Sequence, residues 1–312
     1  MGSEESAKPK EPARTTNKKA TPPTATKRAT SDEKDFVDDK QSSHCSKRAR
    51  YNWSLFSTRL RNVIHGNNHL HQFDDVKLFN VTNNEEHIKI SPVCSSNFSL
   101  IAPIPNRHVT LKTLVNGFDN TGNVRIWPGS EAAAHLILSN KIDLSKCRKI
   151  LEVGAGFLGL SGFMAAQMHK ECQVVITDGN LESVENLRKI NYMNESVDNV
   201  SVKHLLWGTD DLGMKFDVII AADCVFFKQF HEHLMKSIFT HLNPNHGIVY
   251  ISSPRRKQSL KCFEEYVKTH WRQFEFIYME ELNTLLEDEL TNIEDLDEKL
   301  PVICILKLKH HL

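Results

Sequence analysis

Leu151-Glu152-Val153-Gly154-Ala155-Gly156-Phe157-Leu158-Gly159 is the stretch on which the fold turns. Ile150, Leu151 and Val153 predict a short apolar strand, and a helical run opens at Leu158. Gly154, Gly156 and Gly159 fall in G-x-G-x-x-G spacing at that strand-to-helix junction. Glycine lacks a Cβ, so backbone there can approach a ligand closely. Dinucleotide sites share the spacing, which makes it unspecific alone. Glu152 before the first glycine and Asp178 at the end of the next strand narrow it. Together they favour a nucleoside that carries an amino acid over one that carries a pyrophosphate.

Outward from this junction, strands and helices alternate. Predicted strands are Lys149–Val153, Val174–Thr177, Val200–Leu206, Asp217–Ala222 and Gly247–Ser252. Predicted helices are Ser130–Asn140, Leu158–His169, Leu181–Tyr192, Lys228–Leu242 and Lys257–His270. Alternation at this spacing implies an α/β fold with a parallel sheet covered on both faces. Two further strands, Phe274–Met279 and Val302–Leu308, flank an acidic stretch from Glu280 to Lys299, expected to be a solvated helix.

Upstream, Trp53, Phe56, Leu60, Val63 and Ile64 predict an amphipathic helix over Tyr51–His65. Val76–Val81, His87–Ser91, Phe98–Ile101 and Val109–Val115 alternate as short strands of a small antiparallel appendage. Residues 1–50 are rich in Lys, Thr, Ser, Pro and Ala. Such a segment buries too little apolar surface to offset its ordering entropy, so a disordered tail is expected. The expected organisation is therefore a tail over 1–50, a helix and β appendage over 51–128, and the main domain over 129–312.

The chain has 312 residues, 40% apolar and 25% charged, with net charge zero. The tail holds 12 Lys and Arg against 8 Asp and Glu, which leaves 27 against 31 for residues 51–312. That balance excludes a basic nucleic-acid binder by overall charge. Seven cysteines without C-x-x-C spacing predict reduced thiols and no zinc framework, hence no metal. No apolar run reaches membrane-spanning length. The thiols read as intracellular; a cytoplasmic protein, with the nucleus as a second location, and a monomer are expected. Lys47-Arg48-Ala49-Arg50 reads as a nuclear-import signal or, more simply, a solvated basic tether.

In an open α/β sheet, ligands bind outside the carboxyl ends of the strands. Gly154-Ala155-Gly156, Asp178 and Asp223 all fall at such ends. Asp178 suits hydrogen bonds from ribose hydroxyls; its simpler role is a turn or helix cap in Asp178-Gly179-Asn180. Glu152 is a charge inside an apolar strand, which needs a partner. That partner is either a ligand ammonium or a neighbouring Lys or Arg. Trp127 and Trp207 suit either core packing or stacking on a cofactor. Arg255, Arg256 and Lys257 follow the fifth strand and face the same rim. Cations suit a helix N-terminus poorly, which favours recognition of an acidic substrate there.

Glu152-x-Gly-x-Gly, Asp178 and Asp223-x-x-Phe226 resemble the class I S-adenosylmethionine-dependent methyltransferases. Within them the chain is similar to the non-SET protein-lysine methyltransferases that carry an Asp-x-x-Tyr signature. The block Phe118-Asp119-Asn120-Thr121-Gly122-Asn123-Val124-Arg125-Ile126-Trp127-Pro128, with Pro254-Arg255-Arg256, looks like their calmodulin-directed branch. The resemblance covers about residues 50–310. It implies a Rossmann-like seven-stranded sheet with the last strand antiparallel and S-adenosylmethionine as cofactor. It implies cofactor contacts at Trp127, Gly154, Ala155, Gly156, Asp178, Trp207 and Ala222. It places Asp223 and Phe226 at the lysine entrance and makes calmodulin the protein substrate, carried to trimethyl-lysine. Phe226 departs from the wider signature, where a tyrosine stands, so no mechanism through a phenolic hydroxyl carries over.

Three other readings stay open at this point. An NAD-dependent oxidoreductase explains the glycine loop and Asp178 but not Asp223-x-x-Phe226. A non-catalytic adaptor would keep the fold and bind an acidic partner. A small-molecule methyltransferase would use residues 73–116 as a lid.

Overall fold

The computed structural model describes residues 78–83, 87–95, 97–103, 127–194, 198–290 and 300–309. The predicted helix over Tyr51–His65, the fourth appendage strand, the tail and residues 118–126 lie outside them. All described residues belong to one compact unit, residues 62–312.

Three strands make the small sheet: β1 (Phe79–Asn83), β2 (His87–Pro92) and β3 (Leu100–Pro103). They pair in the order β1-β2-β3, antiparallel throughout, as the alternating pattern predicts.

The main sheet has seven strands: β4 (Lys149–Glu152), β5 (Gln173–Asp178), β6 (Val200–His204), β7 (Val218–Ala222), β8 (Ile248–Pro254), β9 (Phe274–Tyr278) and β10 (Pro301–Leu308). Their order is β6-β5-β4-β7-β8-β10-β9. The pairs β4–β5, β4–β7, β5–β6 and β7–β8 are parallel. β10 runs antiparallel to both neighbours. The order reverses between β4 and β7, and in open α/β sheets the crevice outside the carboxyl ends of the strands at such a switch point is where ligands bind.

Among the described residues six α-helices cover the sheet: α1 (Pro128–Leu138), α2 (Leu160–Met168), α3 (Leu181–Met193), α4 (His231–His241), α5 (Ser259–His270) and α6 (Glu280–Glu289). Successive strand side chains point to opposite faces. Ile150, Val174, Val218 and Ile220 accordingly join one apolar core with Ala132, Phe163, Leu187 and Leu286. Leu151, Val175, Ile219 and Ala221 join the other with Leu234, Ile238, Phe263 and Val267. Both faces are buried, so the strands read as nearly continuous apolar runs.

Several boundaries differ from the sequence reading. α2 begins at Leu160 rather than Leu158, because Gly159 holds a left-handed φ of +56° ahead of it. The predicted helices from Lys228 and Lys257 each begin in a 3-10 turn, Lys228–Phe230 and Arg256–Gln258. The acidic segment is not a merely solvated helix. Its described part, α6, buries Leu282, Asn283 and Leu286. Asn283 also bonds both backbone groups of Ile303 in β10.

The small sheet docks away from the crevice. Asn194, which follows α3, accepts from Ile101 N–H and donates to Ile101 C=O. Gln167, near the end of α2, donates to Ser99 C=O. Helices return antiparallel to the strands they follow, so their C-terminal ends lie at the opposite rim from the strand carboxyl ends. The described part of the appendage is therefore no lid over the crevice.

Candidate active site

The glycine loop after β4 is laced to the end of β5. Ala155 N–H donates to Thr177 C=O at 2.9 Å, and Gly156 N–H to Asp178 Oδ2 at 2.8 Å. The other Asp178 oxygen accepts Asn180 N–H at 2.8 Å. Asp178 is buried, and it builds the turn that its simpler reading predicts. The cap expected in Asp178-Gly179-Asn180 falls on Asn180, the N-cap of α3: its side chain accepts from Glu182 N–H and Ser183 N–H.

Gly154 has a φ of +63°, and a Cβ there would come within 2.7 Å of Trp207 Cζ2 and 2.9 Å of Cys224 Sγ. Only glycine admits this close approach of loop, Trp207 and Cys224. The indole Nε1 of Trp207 is buried and has no hydrogen-bond partner among the described residues. Buried donors are nearly always satisfied, so an orphan one beside a glycine loop points to an absent acceptor. Cys224 is inert in this setting. Burial raises its thiol well above the usual range, and its Sγ donates to Val153 C=O at 3.2 Å.

Of the two partners the sequence reading offers Glu152, a neighbouring Lys or Arg is not the one it meets among the described residues. Glu152 is 1% exposed. Its Oε2 accepts Gly162 N–H at 3.0 Å in the first turn of α2, with Ser161 as a further partner. Desolvation pushes its carboxyl up to about 8, against which those hydrogen bonds act only in part. Burial thus favours the neutral carboxyl here, and amides at the start of α2 partner it.

Asp223 follows β7 with a φ of +55°. Left-handed backbone at a non-glycine residue stores strain, of order 1–3 kcal/mol, and needs firm surroundings. They come from three elements. Asp223 N–H donates to Ser252 C=O at 2.8 Å in β8. Gly129 N–H donates to Asp223 Oδ2 at 2.6 Å from the first turn of α1. Arg256 Nη2 lies 2.7 Å from Asp223 Oδ1. Ser252 Oγ closes the set by donating to Gly129 C=O at 2.7 Å.

Gly129 and Ser252 were not legible as site residues. A Cβ on Gly129 would fall against Ser252 O and within 2.5 Å of Asp223 Oδ2. The available signal was Trp127-Pro128-Gly129, a proline at the first helical position followed by the one residue that permits such contact.

Arg255 is exposed, as expected of an acid-binding cation, but Arg256 turns inward. Its guanidinium carbon lies 4.8 Å from the centroid of the Trp127 ring and 5.6 Å from that of Phe226. The side chain of Lys257 lies outside the described residues. Phe226 is 44% exposed and stacks edge-on against Phe227. The structure thus gathers Trp127, Asp223, Phe226 and Arg256 at the ends of β7 and β8, beside the loop of Gly154, Ala155 and Gly156. Ala222, the last residue of β7, is partly exposed between them.

The loop, the orphan indole and the carboxylates fit an adenosyl group with an amino-acid tail. Glu152 takes the Gly162 N–H in the first turn of α2, one of the helix-end donors that a pyrophosphate would use.

Comparison with known proteins agrees. The lysine methyltransferase family matches residues 107–270. Calmodulin-lysine N-methyltransferase of Arabidopsis thaliana is 32% identical over 157 residues, which are 48% of this chain and 51% of that one. The chain thus spans about half the length of this relative. Protein N-lysine methyltransferase METTL21A of Xenopus tropicalis is 31% identical over 150 residues, 47% of this chain and 67% of that one. Among solved structures, a methyltransferase from Pyrococcus furiosus is 20% identical with a TM-score of 0.42, over 64% of this chain and 92% of that one. That likeness is weak, and the fold rests on the strand order itself. With its family match over more than half the sequence, this chain belongs to the lysine methyltransferase family.

Proposed function

We propose that the protein is an S-adenosylmethionine-dependent protein-lysine N-methyltransferase whose substrate is calmodulin, carried to trimethyl-lysine. The observation that carries the reading is Asp223. Its side chain is 5% exposed, its backbone is left-handed, it is held from three elements, and its ion-pair partner Arg256 lies over the rings of Trp127 and Phe226. Neither hydride transfer nor mere partner binding gives that constellation a role.

When bound, S-adenosylmethionine supplies a methyl group made electrophilic by its sulfonium. Trp207, the loop from Gly154 to Gly156, Asp178 and Ala222 would hold it, with Trp127 at the rim. Glu152 supports the loop from below, by anchoring the start of α2.

A lysine amine is ordinarily protonated at neutral pH and must lose its proton before it can attack. Trp127 and Phe226 supply apolar ring surface at the mouth, which favours the neutral amine over the charged one. Asp223 accepts a hydrogen bond from the amine and so aims its lone pair into the crevice. The proton leaves to water, so Asp223 need not end as the base. The rate gain comes mainly from holding amine and methyl in line. Phe226 has no hydroxyl to hold a hydrogen on a partly methylated amine. Its ring attracts a methylammonium as well as an ammonium, which suits repeated transfer up to three methyls.

Incubation with calmodulin and labelled methyl donor tests this, read by mass spectrometry. A gain of three methyl groups on one lysine is expected, and none on the matching lysine-to-arginine calmodulin. Binding without any mass gain would leave the adaptor reading instead.

A further inference from the structure

Resting on the reading of Asp223 as the lysine partner, we infer that Arg256 is an internal competitor for the substrate lysine, and that this selects lysines with acidic neighbours. A position that touches a carboxylate on one side and two aromatic rings on the other is a cation site. In this structure Arg256 fills it, 2.7 Å from Asp223 Oδ1 and over both Trp127 and Phe226. The two side chains are 15% and 5% exposed, so the pair is largely withdrawn from water.

An incoming lysine meets that guanidinium at the same carboxylate. A guanidinium does not deprotonate in proteins, so Arg256 cannot yield by losing its charge. It must move. A displaced guanidinium left without an anion is costly, because the pair was buried. A carboxylate on the substrate beside the lysine removes that cost: it takes Arg256 as Asp223 takes the amine. Exposed Arg255, next in the chain, adds attraction for the same acid.

The segment that carries Arg256 is suited to such movement. Arg256 has a φ of +30° and Gln258 one of +75°, at the two ends of a single 3-10 turn between β8 and α5. Left-handed backbone at two residues so close together is unfavourable locally. The Asp223 ion pair offsets it, and release of the pair releases the turn. Arg256 is therefore specificity-determining: a lysine alone is disfavoured, and a lysine with an acidic neighbour exchanges one ion pair for another.

Two measurements on the full chain test this. The first needs no turnover. Binding of n-butylammonium, a lysine head group, is followed by fluorine NMR of 5-fluorotryptophan-labelled protein, with Trp127 assigned through Trp127→Phe. Arg256→Met should bind the probe about tenfold more tightly than wild type, while Arg256→Lys, which keeps a cation, should not. Equal affinities in wild type and Arg256→Met overturn the competition. If Arg256→Met fails to fold, Arg256→Gln is held to the same criterion.

The second uses paired peptides, a lysine flanked by two Glu or by two Gln, with labelled methyl donor. Wild type should favour the acidic peptide about tenfold, in KM rather than kcat, and Arg256→Met should lose that preference. A preference that survives in Arg256→Met overturns the exchange. A fall in kcat at constant KM makes Arg256 a positioning residue for Asp223 and overturns competition too. No transfer to either peptide, beside a tightened butylammonium affinity, refutes the methyltransferase reading while the competition stands.

Discussion

Glu152 should contribute stability that falls as pH rises, and Glu152→Gln should remove that contribution. The carboxyl is buried beneath the glycine loop, and desolvation lifts it from the ordinary 4.5 to about 8. Between those values the folded protein keeps a proton that the unfolded chain has released. Stability then declines with pH wherever the folded state binds more protons. The contribution is complete below about pH 4.5, drains away up to about pH 8, and is constant above. A span of about 3.5 units at roughly 1.4 kcal/mol each amounts to roughly 4–5 kcal/mol. In Glu152→Gln the amide oxygen still accepts Gly162 N–H, but nothing ionises. Unfolding by urea at steps from pH 4.5 to 9 measures both proteins. Other titrating groups are common to the two and cancel in the difference. That difference, variant minus wild type, should climb by several kcal/mol across the window. A flat difference would mean that Glu152 is ionised in the native state with a cation the structure does not show.

Asp223→Ala should lower kcat by at least about a hundredfold, since the amine loses its aim, while affinity for the methyl donor measured calorimetrically stays near wild type. Near-normal turnover would remove Asp223 from the reaction. Gly154→Ala places a methyl within 2.7 Å of Trp207 at a φ of +63°. It should cost roughly 1–3 kcal/mol in denaturant melts and weaken the donor at least about tenfold in titration. Leu286 in α6 is fully buried. Leu286→Ala should cost roughly 2–5 kcal/mol, whereas a helix that merely lay on the surface would lose well under one.

Local pattern carried most of the fold. Residues such as Ile150, Leu151, Val174 and Val175 are apolar on both faces of their strands, which only a sheet covered on both sides tolerates. The carboxyl ends of those strands then named Gly154, Asp178 and Asp223 without any coordinates. The helix starts were less legible. Gly159, Arg256 and Gln258 hold left-handed backbone ahead of α2 and α5, and periodicity is blind to that. Gly129 and Ser252 were missed because a lone glycine or serine has no pattern of its own, and the cap expected in Asp178-Gly179-Asn180 falls on Asn180. The roles of Gly129 and Ser252 appear only when α1 is laid against a strand end.

From the sequence alone came the α/β alternation, the glycine loop, the Asp223-x-x-Phe226 pair and hence the family. These depend on residues near one another along the chain, where spacing dictates geometry. The tertiary structure alone decided where charges go. Glu152 ends against the amides of α2, where burial raises its carboxyl, and Arg256 folds inward onto Asp223 over Trp127 and Phe226. A charge answers to whatever the fold brings within a few ångströms of it and to how much water is left. Strand ends put Asp223 and Arg256 on one rim, but only the fold turns Arg256 inward onto Asp223 and over Trp127.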